Sequence, residues 1–223
     1  MKVLMRIYLI VVEEPLFHPS MVEEIVRKRK QEIVGLSLVP DRSTKKSLLS
    51  YLLYQWNFFG PFAFVYLGIR TIIYKLFNLV EKVGKGYGIP IYKCQNVNDL
   101  NHLEYLRSLK PDVIISAQGQ IFKNELLGIP KIACINRHSA LLPKYGGLWP
   151  IFWAMLYDEK KIGVTVHTMV EKIDGGKILA QKEINRGTSD ALFSLYQKAF
   201  RISGSVILEA LDVLSSKPVK YFK

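Results

Sequence analysis

Three short aliphatic runs constrain this chain more than any other feature: Ile7–Val12 (IYLIVV), Pro111–Ala117 (PDVIISA) and Ile132–Asn136 (IACIN). Each has the length of a strand, and none shows the apolar–polar alternation of a strand with one wet face. Strands apolar on both faces belong inside a parallel sheet that helices cover on both sides. The segments between them supply the helices. In MVEEIVRKRK, apolar Met21, Val22, Ile25 and Val26 recur at helical spacing, with Ser20 the expected N-cap and Glu23 its capping-box partner. Glu32–Val39 reads as a second strand, which completes a right-handed βαβ unit. Farther on, Ile89–Lys93 reads as a short strand, and Leu100, Leu103, Leu106 and Leu109 mark a helix. Lys161–Val170 and Lys177–Ile184 read as two later strands, and a helix from about Ser189 to Leu214 closes the chain. The expected fold class is α/β, a Rossmann-like, mostly parallel sheet flanked by helices, in a single domain over residues 1–223. A chain of 223 residues, 49% hydrophobic, can bury such a core unaided. Cys94 and Cys134 are too few for a disulfide scaffold or an all-cysteine zinc site, so the default setting is reducing and cytoplasmic. The run at Ile7 is short and ends at Glu13-Glu14, unlike a signal peptide.

The α/β pattern breaks after Pro40. From Ser47 to Ile69 no residue is charged, and Arg70 and Lys75 follow within another apolar run. Length alone makes this stretch a membrane-span candidate. Gln55 and Asn57 near its middle and the Gly60-Pro61 break argue otherwise, and a span would separate strands that must share a sheet. The expectation is an aromatic-rich helical insert over about 44–82, two helices joined at Gly60-Pro61. It would pack on the domain, form a dimer surface, or lie on an anionic membrane surface with Arg70, Lys75 and Lys82 toward the headgroups. The excess of 31 Lys+Arg over 19 Asp+Glu, a net +12, favours an anionic partner of some kind.

At the end of a buried strand stands INRHSALLPKYGGLWP (Ile135–Pro150). Functional groups gather beyond the carboxyl ends of strands in α/β sheets. Asn136 and His138 are two apart, so on extended backbone both project to one side. An amide donor beside an imidazole can hold a developing oxyanion and move a proton. About 35 residues on, Asp174 precedes Gly175-Gly176 in the turn between two strands, where Asp-Gly can equally serve as a plain turn dipeptide. His167, in GVTVH, either lines the pocket or is structural, and the structural reading is the favoured one. Trp149 and Trp153 are expected to pack in the core, and His102, on a polar helix face, to be structural or solvated.

Taken together, the pieces from about Asp112 to Glu183 resemble the folate-dependent formyltransferase family, which includes glycinamide ribonucleotide transformylase, methionyl-tRNA formyltransferase and the sugar N-formyltransferases. The resemblance lies in their order: a buried strand, a Gly-Gln-Ile-Phe loop, NxHxxLLPxYxG, GVTVH, then DxGxIL. It implies a Rossmann-like formyltransferase domain with Asn136, His138 and Asp174 as the catalytic trio. It also implies that Gln120, Ile121 and Phe122 hold a pterin ring from one side and that Met169, Val170 and Ile173 flank it from the other. The implied co-substrate is 10-formyltetrahydrofolate, with no metal, and the implied partner is a small-molecule amine.

Departures bear on the acceptor. VVEEPLFHPS has no glycine where the family's phosphoribosyl-amine enzymes carry a phosphate loop, which argues against glycinamide ribonucleotide. The chain ends about forty residues after DGGKIL, short of the RNA-binding domain of the tRNA enzymes, so nucleic acid is not the expected partner. Gly146 stands where many relatives have Arg, with Lys144 nearby as a partial substitute. The favoured reading is formyl transfer to an amino sugar carried on a nucleotide or lipid, by a cytoplasmic, peripherally membrane-associated enzyme for which a homodimer is allowed. The alternatives are hydrolysis of 10-formyltetrahydrofolate and a non-catalytic folate-binding or membrane-associated protein of the same fold.

Overall fold

A computed structural model describes residues 4–40, 47–77 and 79–216. Its strands are β1 (Ile7–Glu13), β2 (Ile33–Pro40), β3 (Ile91–Lys93), β4 (Val113–Ala117), β5 (Ala133–His138), β6 (Lys161–Thr168) and β7 (Ile178–Asn185). They form one sheet in the order β3-β2-β1-β4-β5-β6-β7. The first five are parallel; β6 runs antiparallel to β5, and β7 antiparallel to β6. The chain reverses its strand order between β1 and β4, and the carboxyl ends of β1, β4 and β5 come together at one edge.

The central strands are apolar on both faces because both faces are covered. Ile7, Leu9 and Val11 of β1 enter a core shared with α1 (His18–Arg29) and the closing helix, Leu192–Ser216. Tyr8 and Ile10 enter a second core with Leu103, Leu106 and Leu126, from the helices Leu100–Leu109 and Asn124–Leu127 on the opposite face. These five β1 side chains are fully buried, each aliphatic one contributing about 1.5–3 kcal/mol. The polar atoms in the second core are paired in series. Val97 O accepts from His102 Nδ1 at 2.7 Å, so His102 Nε2 accepts from Ser37 Oγ at 2.8 Å, and Ser37 in turn accepts from Tyr8 Oη at 2.7 Å. His102 is therefore structural rather than solvated, fully buried with both ring nitrogens paired. Burial lowers its pKa and raises that of Tyr8.

Two expectations are corrected. The helix α1 begins at His18, so Ser20 lies inside its first turn, with its hydroxyl on Phe17 O. Capping falls to Glu14, whose carboxylate accepts the N–H groups of Leu16, Phe17 and His18. Pro19 needs no N–H partner there. Trp149 and Trp153 are 56% and 42% exposed. The helix Pro150–Leu156 turns Ile151 and Ala154 inward, which leaves Trp153 on its outer face, and Trp149 precedes it as the N-cap residue at φ 58.

The insert forms α2 (Leu48–Phe77), two helical segments separated at Gly60 (φ 74, ψ 164) and followed directly by α3 (Val80–Gly86). Pro61 and the positive φ make the break, since neither can continue a helix. Among the described residues no helix is long and apolar enough to cross a membrane. Residues 41–46, expected at the start of the insert, lie outside the described set.

Candidate active site

The site starts from the pleat of β5. Asn136 and His138 share one face, and Arg137 between them points to the other. There Arg137 Nε donates to Ser203 Oγ at 2.8 Å and Nη1 to Ser139 Oγ at 2.6 Å, over the ring of Phe200 at 3.8 Å. Burial pulls its pKa down to about 9.

Beyond β5 the LLPKYGG loop folds back, and its backbone is tied down by polar side chains of the last two strands. Thr165 Oγ1 donates to Ala140 O at 2.6 Å and accepts from Leu142 N at 3.1 Å. Gln181 Nε2 donates to Leu142 O at 3.0 Å, and Tyr145 Oη donates to Glu159 at 2.8 Å. Held this way, the loop delivers two backbone groups to the site. Tyr145 O accepts from His138 Nε2 at 2.8 Å, and Gly147 N donates to Asp174 Oδ2 at 2.7 Å. The turn needs Gly147 at φ 88, a conformation that costs glycine nothing.

Asp174 arrives from the β6–β7 connection, itself in the left-handed region at φ 51. Gly176 lets that connection press against β6: a Cβ there would lie 1.7 Å from Thr168 O. Asp174 Oδ2 stands 3.6 Å from His138 Nδ1, and Oδ1 stands 3.3 Å from His167 Nε2. His167 is the Cα partner of Asn136 in the antiparallel β5–β6 pairing, and Asn136 Nδ2 lies 3.5 Å from His167 Nε2. The trio named by the sequence thus converges, and a fourth group, His167, sits at its centre rather than serving only the core. No spacing in the sequence pointed to His167; the strand register brings it in.

The protons of both imidazoles follow from their partners. Carbonyls only accept, so Nε2 of His138 carries a hydrogen toward Tyr145 O, and Nδ1 of His167 carries one toward Thr168 O at 2.8 Å. The other nitrogen of each ring, His138 Nδ1 and His167 Nε2, faces Asp174. A proton gained by His138 comes to rest against that carboxylate. Burial lowers the pKa of His138, against a smaller rise from Tyr145 O and Asp174, so the ring is neutral at pH 7. Burial would raise Asp174, but the bonds from His167 and Gly147 N–H and the two imidazoles outweigh it and hold the acid at about 2. The site is a buried carboxylate with two imidazoles and an amide donor around it.

The flanking residues differ in placement. Ile121, Val170 and Ile173 are 67%, 46% and 63% exposed, an apolar rim on the loops that follow β4 and β6. Phe122 is buried in the second core, with Met169 packed against that core. The Gln120 side chain is spent on backbone, accepting from Val97 N at 3.0 Å and donating to Gln95 O at 2.9 Å. It shapes the loop from within. At Gly146 an added Cβ would lie 3.8 Å from Asp174 Oδ2, so the missing side chain leaves space beside the carboxylate. Among the described residues no cluster of three or more His, Cys, Asp or Glu is arranged to hold a metal.

A family model described as formyl transferase matches residues 74–211, and the chain belongs to that family. Over 145 residues it is 38% identical to a methionyl-tRNA formyltransferase of Thermodesulfovibrio yellowstonii, covering 62% of this chain and 47% of that protein. Over 139 residues it is 38% identical to the bifunctional polymyxin resistance protein ArnA of Wigglesworthia glossinidia brevipalpis, covering 62% of this chain and 21% of that protein. The chain thus spans half or less of the length of these curated relatives. Among solved structures it resembles a phosphoribosylglycinamide formyltransferase from Anaplasma phagocytophilum (TM-score 0.67, 17% identity, 95% of this chain and 87% of that one). It also resembles a sugar N-formyltransferase from Shewanella sp. FDAARGOS_354 (TM-score 0.59, 20% identity, 94% and 69%). At these identities the structural matches speak for the fold, and they agree with the seven-stranded, mostly parallel sheet described above.

Proposed function

We propose that this protein transfers a formyl group from 10-formyltetrahydrofolate to the amine of a small acceptor, an amino sugar carried on a nucleotide or a lipid. The observation that carries the reading is the meeting of Asn136, His138 and Asp174 beside an apolar rim. An amide donor, a neutral imidazole with a free lone pair and an ionised acid are what acyl transfer between two nitrogens requires. The rim of Ile121, Val170 and Ile173 suits a flat heterocycle, and the polar groups behind it suit a carbonyl. The bound donor supplies a formyl group on a nitrogen leaving group.

The chain's own groups do the rest. Asn136 Nδ2 carries two N–H bonds; one faces His167 and the other is available to the formyl oxygen as that oxygen gains negative charge. As the acceptor nitrogen bonds to the formyl carbon it loses a proton, which His138 Nδ1 takes up. Asp174 stabilises the resulting imidazolium. The proton returns to the donor nitrogen as its bond to the formyl carbon breaks, so the site ends as it began. His167 positions the Asn136 amide and shares the Asp174 charge. Buried, free Cys94 and Cys134 are in keeping with a reducing, cytoplasmic setting.

The test is an acceptor screen that follows release of tetrahydrofolate across nucleotide-linked amino sugars, simple amines and aminoacyl-tRNA. Stoichiometric formylation of an amino sugar is the expected result. Formate release without any amine would make water the acceptor and overturn the transferase reading. Turnover only on aminoacyl-tRNA would overturn the acceptor class.

A further inference from the structure

The insert α2 takes no part in the site, yet it leaves the fold at the same edge. Its N-terminal end follows β2, and at its C-terminal end the first N–H groups of α3 bind Glu13, the last residue of β1: Val80 N at 2.9 Å and Glu81 N at 3.1 Å. His18, after β1, reaches Ala117 O at the end of β4 at 3.1 Å. Ser116 in turn pairs with Asn136 on β5. The insert and the catalytic edge are therefore one side of the molecule. Where the insert rejoins the fold, a cleft of about 540 Å³ opens between the start of α1 and α3, lined by Pro15, Leu16, Leu79, Lys82 and Tyr87, among others.

The exposed side of α2 is apolar along both segments. Leu49, Leu52, Leu53 and Trp56 follow helical spacing before Gly60, and Phe62, Val65, Ile69, Ile73 and Leu76 follow it after; all are exposed, with Phe62 at 91%. A water-facing helix would reverse that pattern. Two features name the occupant. Between Asp41 and Glu81 there is no acidic residue, while Arg42, Lys45, Lys46, Arg70 and Lys75 are basic. Ten of the chain's aromatic residues fall within 47–77. Aromatic side chains, basic charge and no acid match an anionic headgroup layer; a surface buried against a second copy would gain nothing from the uncompensated charge. The geometry fits lying on a bilayer rather than crossing one. At 1.5 Å per residue the two segments are about 18 and 25 Å long, short of the ~30 Å hydrocarbon core. β2 and β3 pair in one sheet, so both ends of the insert must return to the same side.

We propose that α2 seats in the headgroup region of an anionic bilayer and presents the catalytic edge to an amine carried on a lipid. This acceptor assignment rests on the formyl-transfer reading above. The bilayer seat is tested without turnover, by flotation of the full chain with phosphatidylcholine vesicles, with and without about one-third phosphatidylglycerol. At least about tenfold more protein should float with the anionic vesicles, with the difference lost at high salt. A Phe62→Ser/Ile69→Ser variant should lose about tenfold or more of that binding and keep its thermal unfolding midpoint. Indifference to vesicles, or a stable dimer that the double variant dissociates, would overturn the seat. The acceptor is tested by comparing one amino sugar free in solution and joined to a long-chain phosphate in the same vesicles. A kcat/KM at least about tenfold higher for the lipid form, lost in the double variant, is the expected result; equal values overturn it. Failure to turn over either form, with flotation intact, would instead defeat the formyl-transfer reading.

Discussion

Replacing Asp174 by Asn removes one charge and little else. Asn is the residue that best tolerates the left-handed backbone found at φ 51. Its carbonyl can keep the 2.7 Å bond from Gly147 N, and its NH2 takes the place of Oδ1 opposite His167 Nε2. What disappears is the anion 3.6 Å from His138 Nδ1. At an effective dielectric of about 20, that anion stabilises an imidazolium by about 4.5 kcal/mol. If half or more of a charge develops on His138 in the transition state, the barrier rises by about 2–4 kcal/mol, or about 30- to 1000-fold in rate. The assay is kcat/KM for tetrahydrofolate release with the best acceptor from the screen, alongside a thermal melt. A variant that melts within a few degrees of the parent and falls by about 30- to 1000-fold is the expected outcome. A folded variant within about fivefold of the parent would refute the coupling between Asp174 and His138.

Asn136→Ala should lower kcat by about 10²–10³ with little change in donor binding; equal losses in affinity and rate would reduce Asn136 to a binding residue. The rate should rise with pH along an acid limb that lies below the ordinary histidine value of about 6.5, because burial depresses His138. Asp174→Asn should move that limb lower still, and a limb moved upward would contradict the ion-pair geometry. Stability carries its own signature. Asp174 is held at about 2, below its unfolded value, so its contribution is present above about pH 4 and is lost as pH falls toward 2. The parent and Asp174→Asn urea midpoints should therefore converge over that window, and a constant difference would count against the assignment. Gly176→Ala forces a Cβ to within 1.7 Å of Thr168 O and should cost about 2–4 kcal/mol in urea unfolding; a neutral substitution would mean the β6–β7 connection is not held against β6.

The sequence by itself determined the sheet. The aliphatic runs that become β1, β4 and β5 can be dry on both faces only inside a covered parallel sheet, and Gly60-Pro61 can only interrupt the insert. Asn136, His138 and Asp174 stand out as a trio through the resemblance carried by the order of the motifs; the pleat and the glycine turn alone leave plainer readings open. Tertiary structure decided what those local patterns cannot encode. His167 lies opposite Asn136 only because β6 runs antiparallel to β5 in one register, and a one-residue slip would turn it to the other face. The proton positions at His138 and His167 depend on carbonyls of Tyr145 and Thr168, which carry no side-chain signal. Trp153 faces outward because its seven-residue helix can bury only one side, Trp149 is exposed at the N-cap ahead of it, and His102 is buried because Ser37 waits across the core. Side-chain pattern reports what each segment must hide; which groups meet across 31 residues (Asn136 and His167) or 36 (His138 and Asp174) depends on how the strands pair and how their connections fold back.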